Sequence, residues 1–380
     1  MKITIPKKSL LGPLQQVSIG AATGKNILPA LAGVLFSANE AALTLISGDT
    51  GFFIRTEIQS SEFDIQRTGG IILGAKEVTE VISRMPDGPI EIDVIETNAT
   101  IKVGRTKLVL RGISEEMYPV LPGLSDYPQD ISMSGKDLRE LIQLTAYAAY
   151  KKEDKPIATG VRIEISEYGT KFTASDGKRI AIVSDPTKAD DFYQIVISAE
   201  HLKKVCSIIS DRDEVGIKLT ESTLVINSNS YTIFSRGLDG KYPEVEKMFD
   251  ETFAAKTLVC KDDFIDAIER SRVTAQKNKE GHFVITLKAG PEIVIETSNE
   301  QGEKTEDFIN TTSFIGEPVT IGCDGKFLLD AVKAIKDDEI QIRFIGSRKP
   351  IVVSNGDESL GLHLVLIYLV REVYRGNVNE

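Results

Sequence analysis

Gly20-Ala-Ala-Thr-Gly24-Lys25-Asn26 carries the glycines and the lysine of a phosphate-binding loop. One residue is missing between the glycines, and Asn26 stands where a serine or threonine would meet Mg²⁺, so a plain loop leading to Pro29 is the better reading. His201, His282 and His363 are scattered, and no His-x-x-x-His or Cys-x-x-Cys pair supplies metal ligands. Cys206, Cys260 and Cys323 are odd in number and far apart, as in a reduced protein with buried thiols. No Gly-x-Ser-x-Gly elbow presents a nucleophile. Asp49 and Asp176 invite reading as paired carboxylates, but each ends the same spacing. Pro29, Gly33 and Asp49 are separated by four and then sixteen residues, and so are Pro156, Gly160 and Asp176. Equivalent positions in a repeat read as turn formers. The expectation is a protein that is not an enzyme and holds neither metal nor cofactor.

The two copies lie 127 residues apart, a third of the 380-residue chain, which points to duplicated domains rather than short solenoid units. Six segments have helical periodicity. They are Lys7 to Gly20, Ala75 to Met85, Gly135 to Tyr150, Ser198 to Ser210, Lys261 to Thr274 and Asp324 to Lys336. Their starts are 60 to 68 residues apart, so the unit is a half-domain present six times. Between them run short alternating segments such as Ile90 to Ile95, Thr100 to Val103, Leu108 to Leu110 and Val161 to Ile165. Several follow one another with no helix between, which favours antiparallel hairpins over crossovers. The fold class expected is α+β, with two helices packed on antiparallel sheets in each of three similar domains. Arg111-Gly112 before Tyr118-Pro119, and Arg236-Gly237 before Tyr242-Pro243, mark the joins. They give domains at 1–124, 125–251 and 252–380. The third copy is the most diverged. Gly281 is expected in the place of Gly160, with Asn299 eighteen residues later.

Hydrophobic residues make up 41% of the chain and charged residues 27%, as in ordinary globular domains. No run of about 18 apolar residues appears, and Met1 to Pro6 reads as a strand rather than a signal peptide, so a cytoplasmic protein with no membrane contact is expected. The net charge is −11. The six helical windows sum to +3, leaving −14 for the rest. Lysines on solvated faces account for this, and so does a shared helical surface meeting a polyanion. The acidic fifth window, with Asp262, Asp263, Asp266 and Glu269, weakens the second account.

Four stretches carry a resemblance: Leu10-Leu11-Gly12-Pro13-Leu14-Gln15-Gln16-Val17-Ser18, Ile27-Leu28-Pro29-Ala30-Leu31, Thr173 through Ala181, and Leu238-Asp239-Gly240-Lys241-Tyr242-Pro243. With six half-units in order, the sequence resembles the bacterial sliding clamps, the β subunits of DNA polymerase III, from Met1 to about Arg371. The resemblance implies a head-to-tail homodimer closed as a ring around double-stranded DNA. It would tether the catalytic subunit of the polymerase, admit other proteins bearing clamp-binding motifs, and need a clamp loader. It implies a bacterial, nucleoid-associated protein. A clamp-fold paralogue that competes for partners without supporting replication is the alternative. By the same resemblance Lys25 and Lys152 lie near DNA on loops, and Gln15, Lys76 and Arg139 on pore helices. Lys203 and Lys204 follow Glu200, which stands where the family tends to have a basic residue. Leu108 and Leu110 would form the edge strand at the dimer seam, facing Val273 of the other subunit.

The family's partner pocket falls, residue by residue, on Ala158, Ser175, Gly177, Lys178, Arg179 and Ile180, then on Pro243, Lys247 and Met248. It ends on the C-terminal strand with Leu366, Tyr368, Leu369, Val370 and Arg371. An apolar slot with few polar groups suits an inserted leucine or aromatic side chain. Leu369 replaces the family's proline here, Tyr368 precedes it, and a tail from Glu372 to Glu380 follows. The expectation is an altered peptide preference, with the tail able to cover the slot.

Overall fold

The computed structural model describes residues 1–24, 28–119, 131–152, 154–220, 222–245, 252–356 and 364–367. All six expected helices are present: α1 Lys7–Ser18, α2 Ala75–Arg84, α3 Gly135–Gln143, α4 Ala199–Ile208, α5 Lys261–Thr274 and α6 Gly325–Ala334. Their apolar stripes are the buried ones, for example Leu10, Leu14 and Val17 on α1 and Phe264, Ala267 and Ile268 on α5. α3 stops seven residues before the expected end at Tyr150. Thr145 is fully buried, and its hydroxyl donates back to the Leu141 carbonyl at 2.7 Å. Such back-bonding competes with helix continuation, and a single 3-10 turn follows at Ala146–Ala148.

The chain divides into two compact units. The first comprises residues 1–139 and 200–237. One of its sheets has five antiparallel strands in the order β5-β1-β7-β8-β9. These are β1 Lys2–Pro6, β5 Asp64–Arg67, β7 Pro89–Ile95, β8 Asn98–Val103 and β9 Thr106–Arg111. β9 is an edge strand, paired on β8 alone with Leu108 opposite Ile101. The other sheet has eight strands. β2 Gly33–Ala38, β3 Ala42–Gly48, β4 Phe52–Gln59 and β6 Gly69–Gly74 join β10 Ile131–Ser134, β15 Glu214–Leu219, β16 Thr223–Asn227 and β17 Tyr231–Arg236. The joining ladder is β4 against β17, with Phe53 opposite Phe234.

The second unit comprises residues 140–199 and 238–380 and holds a twelve-stranded antiparallel sheet. Its first four strands are β11 Gly160–Ser166, β12 Gly169–Ser175, β13 Arg179–Asp185 and β14 Tyr193–Ser198. β18 Ala255–Cys260, β19 Val284–Ala289, β20 Glu292–Ser298, β21 Lys304–Gly316 and β22 Val319–Asp324 follow in the chain. β23 Glu339–Phe344, β24 Ile351–Asn355 and β25 Leu364–Ile367 complete it. Here the joining ladder is β13 against β25, with Ile180 opposite Leu366. β4 and β13 start at Phe52 and Arg179, the same 127 residues apart as the sequence repeat. Each copy therefore uses the same strand to accept a strand from beyond its own run of the chain.

The expectation for the third copy needs correcting. Gly160 opens β11 opposite Ser198, and the residue in that register of the third copy is Val284, opposite Asp324. Gly281 precedes the strand, and its positive φ of 78° serves a tight turn in which its N–H donates to the Asn278 carbonyl at 3.0 Å. Asn299 does match Asp49 and Asp176 in action. Its side-chain oxygen accepts the Gln301 and Glu303 N–H groups at 3.1 and 3.0 Å and shapes the turn into β21.

Candidate functional site

The Asp176 turn lies between β12 and β13. Asp176 Oδ1 accepts the backbone N–H groups of Lys178 and Arg179 at 2.9 and 3.0 Å, and Gly177 takes φ 81° with no heavy atom near the position of a Cβ. The turn is thus fixed, with an open edge for a second backbone. Ser175 is buried; its N–H donates to the Tyr242 hydroxyl at 2.9 Å and its hydroxyl to the Arg179 carbonyl at 2.9 Å. Behind the turn, Ile180, Ile182, Val245 and Val352 form a separate buried cluster, with Ile345 packed against it. Ala158 is half-buried and Pro243 exposed. Leu366 is in β25, paired with Ile180 on one side and Val352 on the other. Lys247, Met248, Tyr368, Leu369, Val370 and Arg371 lie outside the described residues, as does the tail.

Sequence reasoning missed Val245, Ile345 and Val352 as parts of this cluster. Val352 lies in the continuous apolar run Ile351-Val352-Val353, which marks a buried strand but not what it packs against.

Arg179 does not point into an open slot. It is 2% exposed. Its guanidinium pairs with Asp176 at 3.1 Å and Asp330 at 2.8 Å, donates to the Tyr147 carbonyl at 2.7 Å, and lies over the rings of Phe327 and Tyr147 at 4.6 and 5.2 Å. A buried cation is tolerated when its donors are satisfied in this way. Beside it opens a cavity of about 330 Å³, lined by Tyr150, Lys152, Lys178, Glu280, His282 and Lys326 among others. Lys152 meets Glu280 at 3.5 Å, and His282 Nδ1 is 2.6 Å from Asp324 Oδ2, the carboxylate that caps α6. The fold therefore brings Lys152, Lys178 and Arg179 to one cavity.

The first unit has a counterpart at Asp49. Its Oδ1 accepts the Gly51 N–H at 2.8 Å, and its carboxylate meets Lys204 at 3.6 Å. Phe52, fully buried, occupies the repeat position of Arg179. His201 stacks on it at 5.0 Å, Lys204 lies over it at 5.0 Å, and His201 Nδ1 is hydrogen-bonded to Ser235 at 2.9 Å. Burial lowers the His201 pKa, opposed by the charge of Asp49.

The residues expected near DNA divide by what already holds them. Gln15 and Lys76 are exposed on α1 and α2. Lys203 is exposed and pairs with Glu200 at 2.7 Å. Lys204 faces Asp49 and Phe52. Arg139 donates to the carbonyls of Cys206 and Ile209 at 3.0 and 2.8 Å and pairs with Asp211 at 3.1 Å, so it caps the end of α4. Beside it the Cys206 thiol is pushed up to about 11 by burial, with the Arg139 charge opposing. Lys25 lies outside the described residues.

Exposed apolar side chains occur at the expected seam residues. Leu108 and Val109 on β9 are 43% and 55% exposed, and Val273 near the end of α5 is 77% exposed. Leu110 is half-buried. Phe308, 56% exposed, lies on the half of β21 that pairs with β20.

Residues 1–122 match the DNA polymerase III beta subunit N-terminal domain, 132–244 its central domain and 246–368 its C-terminal domain. The chain is 28% identical over 375 residues to the beta sliding clamp of Bacillus subtilis, covering 96% of this chain and 99% of that one. It is 30% identical over 358 residues to the beta sliding clamp of Halalkalibacterium halodurans, covering 90% and 93%. The crystal structure of the Bacillus subtilis DNA polymerase sliding clamp superposes with a TM-score of 0.92 at 26% identity, covering 98% of this chain and 99% of that one.

Proposed function

This chain belongs to the DNA polymerase III β-subunit family, and from that premise we propose that it is a DNA sliding clamp that gives the replicative polymerase its processivity. The observation that carries this is the ordered run of three β-subunit domains across nearly the whole chain. Two copies close head to tail around duplex DNA, which a heterologous contact does when its rotation closes. The ring holds DNA by topology, so catalysis is left to the polymerase it tethers. Tethering keeps the enzyme's effective concentration at the primer end high without a tight direct grip on DNA. A clamp loader opens the ring. No helix among the described residues is long and apolar enough to cross a membrane. Work on the chromosome would place the protein at the nucleoid. The competing-paralogue alternative has no observation in its favour.

Weak electrostatic attraction suits sliding, because each tight phosphate contact would add friction. The disposition of charge supports that reading. Gln15, Lys76, Lys152 and Lys203 are the exposed groups assigned to DNA. Arg139 and Lys204 act by holding α4 and the Asp49 turn. The partner slot is assigned to the Asp176 turn, with Gly177 and Pro243 at its rim, Ile180 and Val245 beneath, and the β25 strand alongside Ile180. Leu108, Val109 and Val273, joined by Phe308, are assigned to the subunit seam, since exposed apolar groups gathered on an edge strand and a helix end suit a covered surface.

Retention on nicked circular DNA, with loss when the circle is linearised, tests topological tethering; equal retention on linear DNA defeats it. Leu108→Asp should give monomers in sedimentation, and an unchanged dimer refutes the seam. A chain stopped after Arg371 should bind clamp-binding peptides more tightly than the full chain if the tail covers the slot; equal affinities remove the tail from the account.

A further inference from the structure

The β11–β12 hairpin ends in Ser166-Glu167-Tyr168-Gly169, and the segment from Asp185 to Phe192 passes beside it. The two are laced together. The Ala189 N–H donates to the Ser166 carbonyl at 3.1 Å, and the Thr170 hydroxyl donates to the Thr187 carbonyl at 2.6 Å. The Thr187 N–H in turn donates to Asp185 at 2.8 Å. Gly169 has φ 132°, and a Cβ there would come within 2.6 Å of the Asp185 carbonyl oxygen. Glycine is therefore what allows the close approach.

This braced pair of loops walls a cavity of about 470 Å³. Tyr168 and Phe192 line it and are 89% and 65% exposed. Two large rings left in water at one cavity signal a recognition surface. Three carboxylates, Glu164, Glu167 and Asp190, and one cation, Lys171, also line it. Lys171 and Arg162 neutralise Glu164 at 2.9 and 3.3 Å. Among the described residues, Glu167 and Asp190 have no such partner. Aromatic faces beside uncompensated carboxylates favour a cationic side chain with an apolar neighbour. The chain's net charge of −11 opposes both a second copy and nucleic acid as occupant of an acidic site. None of these residues belongs to the sets assigned to DNA, the partner slot or the seam.

We propose that this cavity docks a partner segment bearing arginine or lysine next to a leucine or aromatic side chain, separately from the slot at Asp176. The inference does not depend on the clamp reading. The test is fluorescence anisotropy of the full chain with a labelled Gly-Arg-Leu-Arg-Trp-Gly peptide. Tyr168→Ser with Phe192→Ser should weaken binding by about tenfold. Glu167→Gln with Asp190→Asn should weaken it by about threefold and flatten its salt dependence. A peptide with glutamate for both arginines should bind more weakly than the parent. Equal affinity of the unaltered chain and the aromatic variant overturns the proposal, as does equal binding of the glutamate peptide. A shift in sedimentation on removing the rings, without peptide, would identify a second copy as the occupant and also overturn it. If the aromatic variant melts early by circular dichroism, the carboxylate variant decides alone, and unchanged affinity there is fatal.

Discussion

At the Asp49 turn a phenylalanine is buried on the strand, and the helix supplies a lysine and a histidine. At the Asp176 turn an arginine is buried on the strand, and the helix supplies a phenylalanine and a carboxylate. The positions correspond through the repeat: Phe52 to Arg179, His201 to Phe327 and Lys204 to Asp330. Aromatic and cation have changed sides while their contact has stayed. What the repeat preserves here is complementarity across the turn, not residue identity. The two solutions differ in what they demand. A buried phenyl ring asks only for packing, and Lys204 keeps part of its surface in water. A buried guanidinium asks for acceptors, and Arg179 finds them in Asp176, Asp330 and the Tyr147 carbonyl.

Replacing Arg179 with alanine should break this contrast most severely. Removing one partner of a buried ion pair costs about 3 kcal/mol or more, whereas Lys204→Ala at the other turn should cost less than about 1 kcal/mol. Urea unfolding of both variants measures this, and equal losses would erase the distinction. Asp176→Asn against Asp49→Asn comes next. The first removes a charge hydrogen-bonded to a buried cation and should cost about 2 kcal/mol, the second about 0.5 kcal/mol.

The smallest effect is in pH dependence. Burial lowers the His201 pKa below its unfolded value of 6.5, so on acidification the unfolded chain takes up a proton before the folded chain does. The unfolded state then binds more protons, and stability falls as pH drops from 6.5 toward the folded pKa. The slope from this one group is at most about 1.4 kcal/mol per pH unit. His201→Phe, which installs the side chain found at the Asp176 turn, should flatten melting temperature against pH in that window. An unchanged profile would mean that other groups set it.

The helices were legible because a 3.6-residue period recurs six times, and the repeat checks each against the others. The end of α3 was not, because it depends on a back-bond from a threonine that lies within the apolar pattern. Leu108 and Val273 could be proposed for the seam only through the resemblance, since the apolar run Leu108-Val109-Leu110 in β9 does not tell an edge from a core strand. The burial of Arg179 was not legible either. Beside Lys178 it looks like half of an exposed basic pair, and only Lys178 is exposed.

The sequence by itself determined the class of fold, the threefold duplication, the turn-forming role of Asp49 and Asp176, and the family. These rest on local periods, on spacings that recur along the chain and on matching motifs. The tertiary structure alone decided that β4 receives β17 and β13 receives β25, that Val245, Ile345 and Val352 gather behind the Asp176 turn, and that Arg179 is buried. A period shows which face of an element is apolar, but not which distant segment covers it. The burial of a charge depends on acceptors that the sequence does not place beside it.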